Sequence, residues 1–332
     1  DFSARGLSVN TGSGKAVNLD LDGSAGELLR AEGDITLKLF DFAYVSGRIG
    51  FERYTPASDL VIKTASGIGS SVKAQSMLAV TGSQITAFVG YADGGFDSDK
   101  TLAEQSDRLY GFGASHVDFG LLLTKSAGQS YTALKADLGS AAIYGFNSSD
   151  FELSAQHLIL EINSTAGDGS TIDYQRSFNG GLKLGSTGAI TLDFAGGQRM
   201  GLYAQQATLS ISKFLYFSGA IGFEKADYGN QLKSGLAQTV PVLGAKGFAI
   251  GGNNITAFVG YAENGIDSGK TLAQQADGLY GFGVDGLDFG LLSVKDQAGT
   301  SYQALKAHAD QMAVYGFDPA DFQLSVSDLN IE

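Results

Sequence analysis

The chain has 332 residues, with 22 Lys and Arg against 35 Asp and Glu, for a formal net charge of −13. That balance argues against a nucleic-acid partner or an anionic membrane surface, both of which call for clustered positive charge. There is no cysteine, which removes disulfides, thiolate catalysis and thiolate metal sites, and no apolar run reaches the roughly 18 residues of a transmembrane helix.

Taken in chain order, most segments alternate apolar and polar residues with period two, the pattern of half-buried strands. Val17 and Leu19 alternate with Asn18 and Asp20, Phe151, Leu153 and Ala155 with Glu152 and Ser154, and Ile190, Leu192 and Phe194 with Thr191 and Asp193. Turn-forming clusters such as Asp93-Gly-Gly, Asn147-Ser-Ser-Asp and Glu263-Asn-Gly punctuate the runs. Short helices are suggested only at Thr101–Arg108 and Thr271–Gly278. The expected content is about a dozen short strands in each half of the chain.

An internal repeat dominates the sequence. Between Ile85–Lys125 and Ile255–Lys295, 28 of 41 positions are identical without a gap. Ser46–Glu52 matches Ser218–Glu224, and Tyr131–Ala136 matches Tyr302–Ala307. The expected organisation is copy one at residues 1–163, a polar linker at 164–172 and copy two at residues 173–332. The phase of the two copies suggests units of a longer tandem array. A smaller motif, an apolar residue followed by Gly and an aromatic, recurs in both copies, as at Val89-Gly90-Tyr91, Tyr110-Gly111-Phe112 and Tyr280-Gly281-Phe282. Glycine inside a strand is expected where another backbone approaches closely or the strand bends.

These features predict an all-β chain built as an elongated β-solenoid-like or stacked β-layer repeat in two tandem copies. Two β-sandwich domains in series are the alternative, and an outer-membrane β-barrel is a third possibility. Motifs for chemistry are sparse. Asn264–Thr271 falls short of a phosphate-binding loop because its first glycine position is Asn264. Asp118-Phe-Gly and Asp288-Phe-Gly spell a kinase triplet without any other kinase signature, and read as turn-closing aspartates at strand entries. His116, His157 and His308 face Gly286, Asp328 and Asp137 in the other copy, so no histidine belongs to the repeated design. No catalytic set emerges, and the chain is expected not to be an enzyme. The one metal expectation is Ca²⁺ in the acidic loops, through Asp93, Asp97 and Asp99 in copy one and Glu263 and Asp267 in copy two, because closely spaced oxygen ligands and tight glycine turns suit that cation.

At Ile85-Thr-Ala-Phe-Val-Gly, Val117-Asp-Phe-Gly-Leu-Leu, Tyr131-Thr-Ala-Leu-Lys-Ala and Phe151-Glu-Leu-Ser the chain resembles tandem repeats of giant bacterial extracellular and surface proteins, the adhesin-like and haemolysin-type calcium-binding grouping. The resemblance implies an extracellular or cell-surface location and a structural role in a long fibre, spacer or surface layer, with adhesion as a further role it suggests. Its partners would be neighbouring repeats or identical subunits end to end, and a cell-surface glycan. A protein that binds or degrades polysaccharide is the alternative function. The resemblance transfers no catalytic residue.

Overall fold

A computed structural model describes residues 2, 5–12, 14–20, 27–40, 42–56, 59–64, 67–147, 149–185, 188, 190–229, 232–234, 240–318 and 320–332. The chain is all-β. Its strands are, in order, β1 (Leu7–Gly12), β2 (Lys15–Leu19), β3 (Glu27–Leu39), β4 (Ala43–Thr55), β5 (Leu60–Thr64), β6 (Gly67–Val72), β7 (Ala74–Ala92), β8 (Leu109–Ser126), β9 (Gln129–Tyr144), β10 (Phe151–Asn163) and β11 (Thr171–Ile172). After a single turn of helix, α1 (Tyr174–Ser177), come β12 (Leu182–Leu184), β13 (Ile190–Leu192), β14 (Arg199–Ile211), β15 (Leu215–Gly229), β16 (Lys233–Ser234), β17 (Val240–Pro241), β18 (Ala245–Ala262), β19 (Leu279–Lys295), β20 (Ser301–Tyr315) and β21 (Ser325–Ile331).

Twelve of these strands form one open antiparallel sheet in the order β21-β20-β19-β18-β15-β14-β10-β9-β8-β7-β4-β3. Each neighbour in space is the next long strand in sequence, so the sheet is a meander with β3 and β21 at its edges. Neither a closed barrel nor a solenoid is present among the described residues. The number of strands is close to the expected dozen in each half, but the twelve in this sheet are mostly long rather than short, up to 19 residues in β7.

The glycines explain the difference. Gly90 on β7 pairs directly with Gly111 on β8, both at positive φ. A Cβ on Gly90 would lie 2.1 Å from the Tyr110 carbonyl oxygen, and one on Gly111 2.2 Å from that of Val89. Gly260 and Gly281 repeat the arrangement between β18 and β19. The motif therefore lets two backbones close up in mid-strand rather than ending a strand. Bulges add length in the same way. Gln84, His116, His157, Asn254 and Asp328 all take left-handed φ inside long strands, and Gly286 does so in the place of His116.

One face of the sheet carries small covering elements, and the core lies beneath them. Over the strands of copy one, β5, β6 and β11 form a three-stranded sheet, and β12 and β13, from the start of copy two, form a hairpin. These elements close over Met77, Ala79, Leu122, Tyr131 and Ala133 of the large sheet. A second cluster forms where the loop between β7 and β8 folds back, placing Phe96 and Leu102 against Tyr44, Phe88 and Leu109. Its 3₁₀ turn at Ala103–Arg108 is the first of the two short helices anticipated; the second is reduced to Ala273–Gln275. The opposite face leaves Val89, Tyr91, Tyr110, Phe112, Val259 and Tyr280 exposed.

Candidate assembly interface

The most elaborate arrangement of polar and apolar groups lies where the two sequence copies meet. Strands β10 and β14 pair through twelve residues, from Phe151 opposite Ile211 to Asn163 opposite Arg199, so the sheet crosses from one copy to the other without a break. Residues 164–172 are not a free spacer. Ser170, Thr171 and Ile172 are buried, and Thr171 and Ile172 pair with Lys63 and Ile62 of β5.

The chain beyond residue 172 continues over copy one before it enters copy two's own strands. Asp173 caps α1 by accepting a hydrogen bond from the Arg176 amide at 3.0 Å. Tyr174, fully buried, packs against Phe194 edge-on with ring centroids 6.2 Å apart. Leu184, Ile190 and Leu192 of the β12–β13 hairpin are buried in the same cluster as Leu122 and Ala133. Gly120 makes the close fit possible, because a Cβ there would lie 2.8 Å from Leu184 Cδ1. The packing boundary thus falls more than 20 residues after the sequence boundary, since the described residues between Asp173 and Phe194 belong to copy two by repeat and pack on copy one.

Charges stitch the seam. Lys135 reaches Glu161 at 3.4 Å and Asp193 at 2.9 Å, tying β9 and β10 to the end of the hairpin. Arg199 pairs with Glu161 at 2.8 Å and Glu224 at 3.2 Å, and donates to the Tyr203 hydroxyl at 2.8 Å. Tyr203 in turn donates to Glu224 at 2.8 Å, and burial together with that carboxylate pushes its phenol well up from the ordinary value. Asn163, buried at the end of β10, donates to the Gly197 carbonyl at 3.0 Å. None of this network was anticipated from the sequence, although the repeated Lys135 and Glu161, matched by Lys306 and Glu332, were its visible trace.

The residues singled out for chemistry are placed as follows. Asp97 accepts from the Asp99 amide at 3.0 Å and lies 3.7 Å from Lys100, while Asp93 receives a 3.4 Å hydrogen bond from the Tyr91 hydroxyl. In copy two, Asp267 accepts from the Gly269 amide at 2.9 Å and pairs with Lys270 at 3.3 Å. The Gly269 amide, with Lys270 beside it, lowers the Asp267 carboxyl below the ordinary aspartate value. The structure therefore uses Asp97 and Asp267 to close tight turns. It brings Asp93, Asp99 and Glu263 into the same two loops, but among the described residues no group of three or more His, Asp or Glu side chains is arranged to hold a metal ion.

Asp118 and Asp288 lie in mid-strand, not at strand entries. Each accepts, at 2.7 Å, the amide of the bulge residue on the neighbouring strand, Gln84 and Asn254 respectively. His116 and His157 contribute backbone conformation at bulges, as their left-handed φ shows. His308 is half-buried, within 3.2 Å of Asp310 and Asn330, which raise its pKa.

Comparison with protein-family models, with curated proteins and with solved structures finds no match to this chain. No helix among the described residues is long and apolar enough to cross a membrane.

Proposed function

We propose that this chain is a non-enzymatic structural repeat module that lengthens an extracellular fibre, spacer or surface layer by adding strands to one continuous sheet. The observation that carries the reading is the unbroken pairing of β10 with β14 across the boundary between copies. A boundary between independent domains would be a linker; here it is sealed by hydrogen bonds, a covering hairpin and two charge clusters. Each copy supplies six strands to the twelve. At about 4.8 Å per strand, one copy advances the sheet by about 29 Å.

The finer architecture belongs to the same proposal. Two tandem copies are units of a linear array, and a stacked-layer form would cover the exposed aromatic face with a second sheet about 10 Å away. The acidic net charge then keeps neighbouring fibres apart. The test is cryo-electron microscopy of chains carrying this sequence joined head to tail one, two and three times. Rods that lengthen by about 58 Å with each added twelve-strand unit are expected. Separate globules at variable spacing, like beads on a thread, would overturn the reading.

A further inference from the structure

The seam inside the chain is built from two halves, and each half recurs at an opposite end of the sheet with its apolar face uncovered among the described residues. We infer that the open trough over copy two and the free edge of β21 receive a second copy of this chain, which seats its β1–β2 hairpin in the trough and lays its β3 edge along β21. This rests on the fibre reading and names the partner and the contact surface.

The receiving half is visible by comparing equivalent positions in the two copies. Gly120 is covered by Leu184 and Ile190, whereas its counterpart Gly290 has nothing within 4 Å of where a Cβ would stand. Leu122 and Ala133 are buried, but their counterparts are half-buried Leu292 and exposed Ala304. The result is an apolar trough of about 730 Å³ lined by Ala249, Gly251, Phe289, Gly290, Leu292 and the stem of Lys306.

The entering half is the hairpin at the other end. β12–β13 pairs Leu182 with Leu192 and Leu184 with Ile190. β1–β2 pairs Leu7 with Leu19 and Val9 with Val17 in the same way. Leu184, Ile190 and Leu192 are buried under the seam, while Leu7, Val9 and Val17 stand exposed. The hairpin shape and its apolar face are therefore present twice, once with a seat and once without.

Charge agrees with shape. Asp20 follows β2 as Asp193 follows β13, and Asp193 pairs with Lys135. The counterpart of Lys135 is Lys306, which is exposed and already holds Glu332 at 2.7 Å, as Lys135 holds Glu161. An incoming Asp20 completes the trio. Along the edge, Gly201 sits opposite both Glu161 and Glu224. The β3 residue in that place is Arg30, opposite Glu52, the counterpart of Glu224. Arg30 binds Glu52 at 2.7 Å, and laying β3 along β21 puts it against Glu332. The acid–arginine–acid arrangement made by Glu161, Arg199 and Glu224 is then rebuilt between chains.

The chain lacks cysteine, so introduced thiols report contacts without background. As a control, Gly120→Cys combined with Ile190→Cys should close within one molecule, because Ile190 Cβ lies 3.4 Å from the Cβ position at Gly120, close to disulfide range. The test mixes equal amounts of a Val17→Cys chain and a Gly290→Cys chain under mild oxidation, with sedimentation velocity on the unmodified protein alongside. The expected results are cross-links between positions 17 and 290 well above the twofold excess of random pairing, and sedimentation that grows with concentration. If the control closes but the mixture pairs at random and the unmodified protein sediments unchanged, another occupant fills the trough and the inference is overturned, while the fibre reading stands. Failure of the control itself would remove the seam packing, and both proposals with it.

Discussion

Gly90 and Gly111 face each other where two strands come closer than any side chain permits, with room for neither Cβ. Gly90→Ala must both adopt an unfavourable φ and push the Tyr110 carbonyl away, so a loss of about 1–3 kcal/mol is expected in denaturant unfolding. Gly290→Ala, with open space around it, serves as the control and should leave the midpoint nearly unchanged. A second residue-scale consequence concerns Asp285, buried in copy two where copy one has Ser115. It accepts hydrogen bonds from the Leu272 amide at 2.9 Å and the Thr256 hydroxyl at 3.2 Å, yet burial still raises its pKa above the ordinary aspartate value. A carboxyl raised on folding favours the folded state while protonated, and that contribution is lost as the pH climbs through its folded pKa. Asp285→Asn should therefore raise the melting temperature near neutral pH and lose that advantage in acid, below the ordinary aspartate range near 3.9. Thermal melts of both proteins across pH check the sign. The Gly-aromatic motif was legible in the sequence as a structural need. The partner that each glycine meets was not, because spacing along a chain says nothing of which strand lies alongside.

At the scale of elements, alternation identified strands correctly and misjudged their length. Polar and glycine-rich positions such as Ser83-Gln84 and Ser115-His116 resemble breaks, but the strands absorb them as bulges anchored by Asp118 and by left-handed backbone. The acidic loops were legible as tight turns, and Asp97 and Asp267 close them through amides and lysines rather than through any partner the sequence could name. The seam was the least legible part. Arg199 has no arginine at the matching place in copy one, so repeat comparison could not flag it. Its removal leaves Glu161 and Glu224 facing each other across β14. Arg199→Met should destabilise the chain by about 1–3 kcal/mol, within the range for unpairing partly buried charge. Adding Glu161→Gln to that variant should recover part of the loss, because it relieves the repulsion from Glu224 that Lys135 alone offsets, and the double-mutant cycle isolates the Arg199–Glu161 coupling. Urea titrations of the four proteins measure both terms. Additive losses would mean that the two side chains do not act together.

For the molecule as a whole, the all-β character and the duplication were plain from the sequence. The open meander was not. Period-two patterning decides which residues share a face, and a coil, a sandwich and a flat sheet all satisfy it equally. What chooses the sheet is the antiparallel pairing of each long strand with the next one in sequence, whether across a two-residue turn as between β8 and β9 or across longer segments that fold into covering elements and bury one face in place of a second layer. A meander of this order also has a particular response to tension. Pulled along the direction in which strands are added, neighbouring strands are separated crosswise, so their hydrogen bonds give way one after another rather than all at once. The six strands that residues 1–163 give to the sheet span about 29 Å, while that stretch of chain reaches about 550 Å when drawn out, at about 3.4 Å per residue. A thread made this way would yield before it snapped, paying out slack strand by strand and re-zipping when the strain is released.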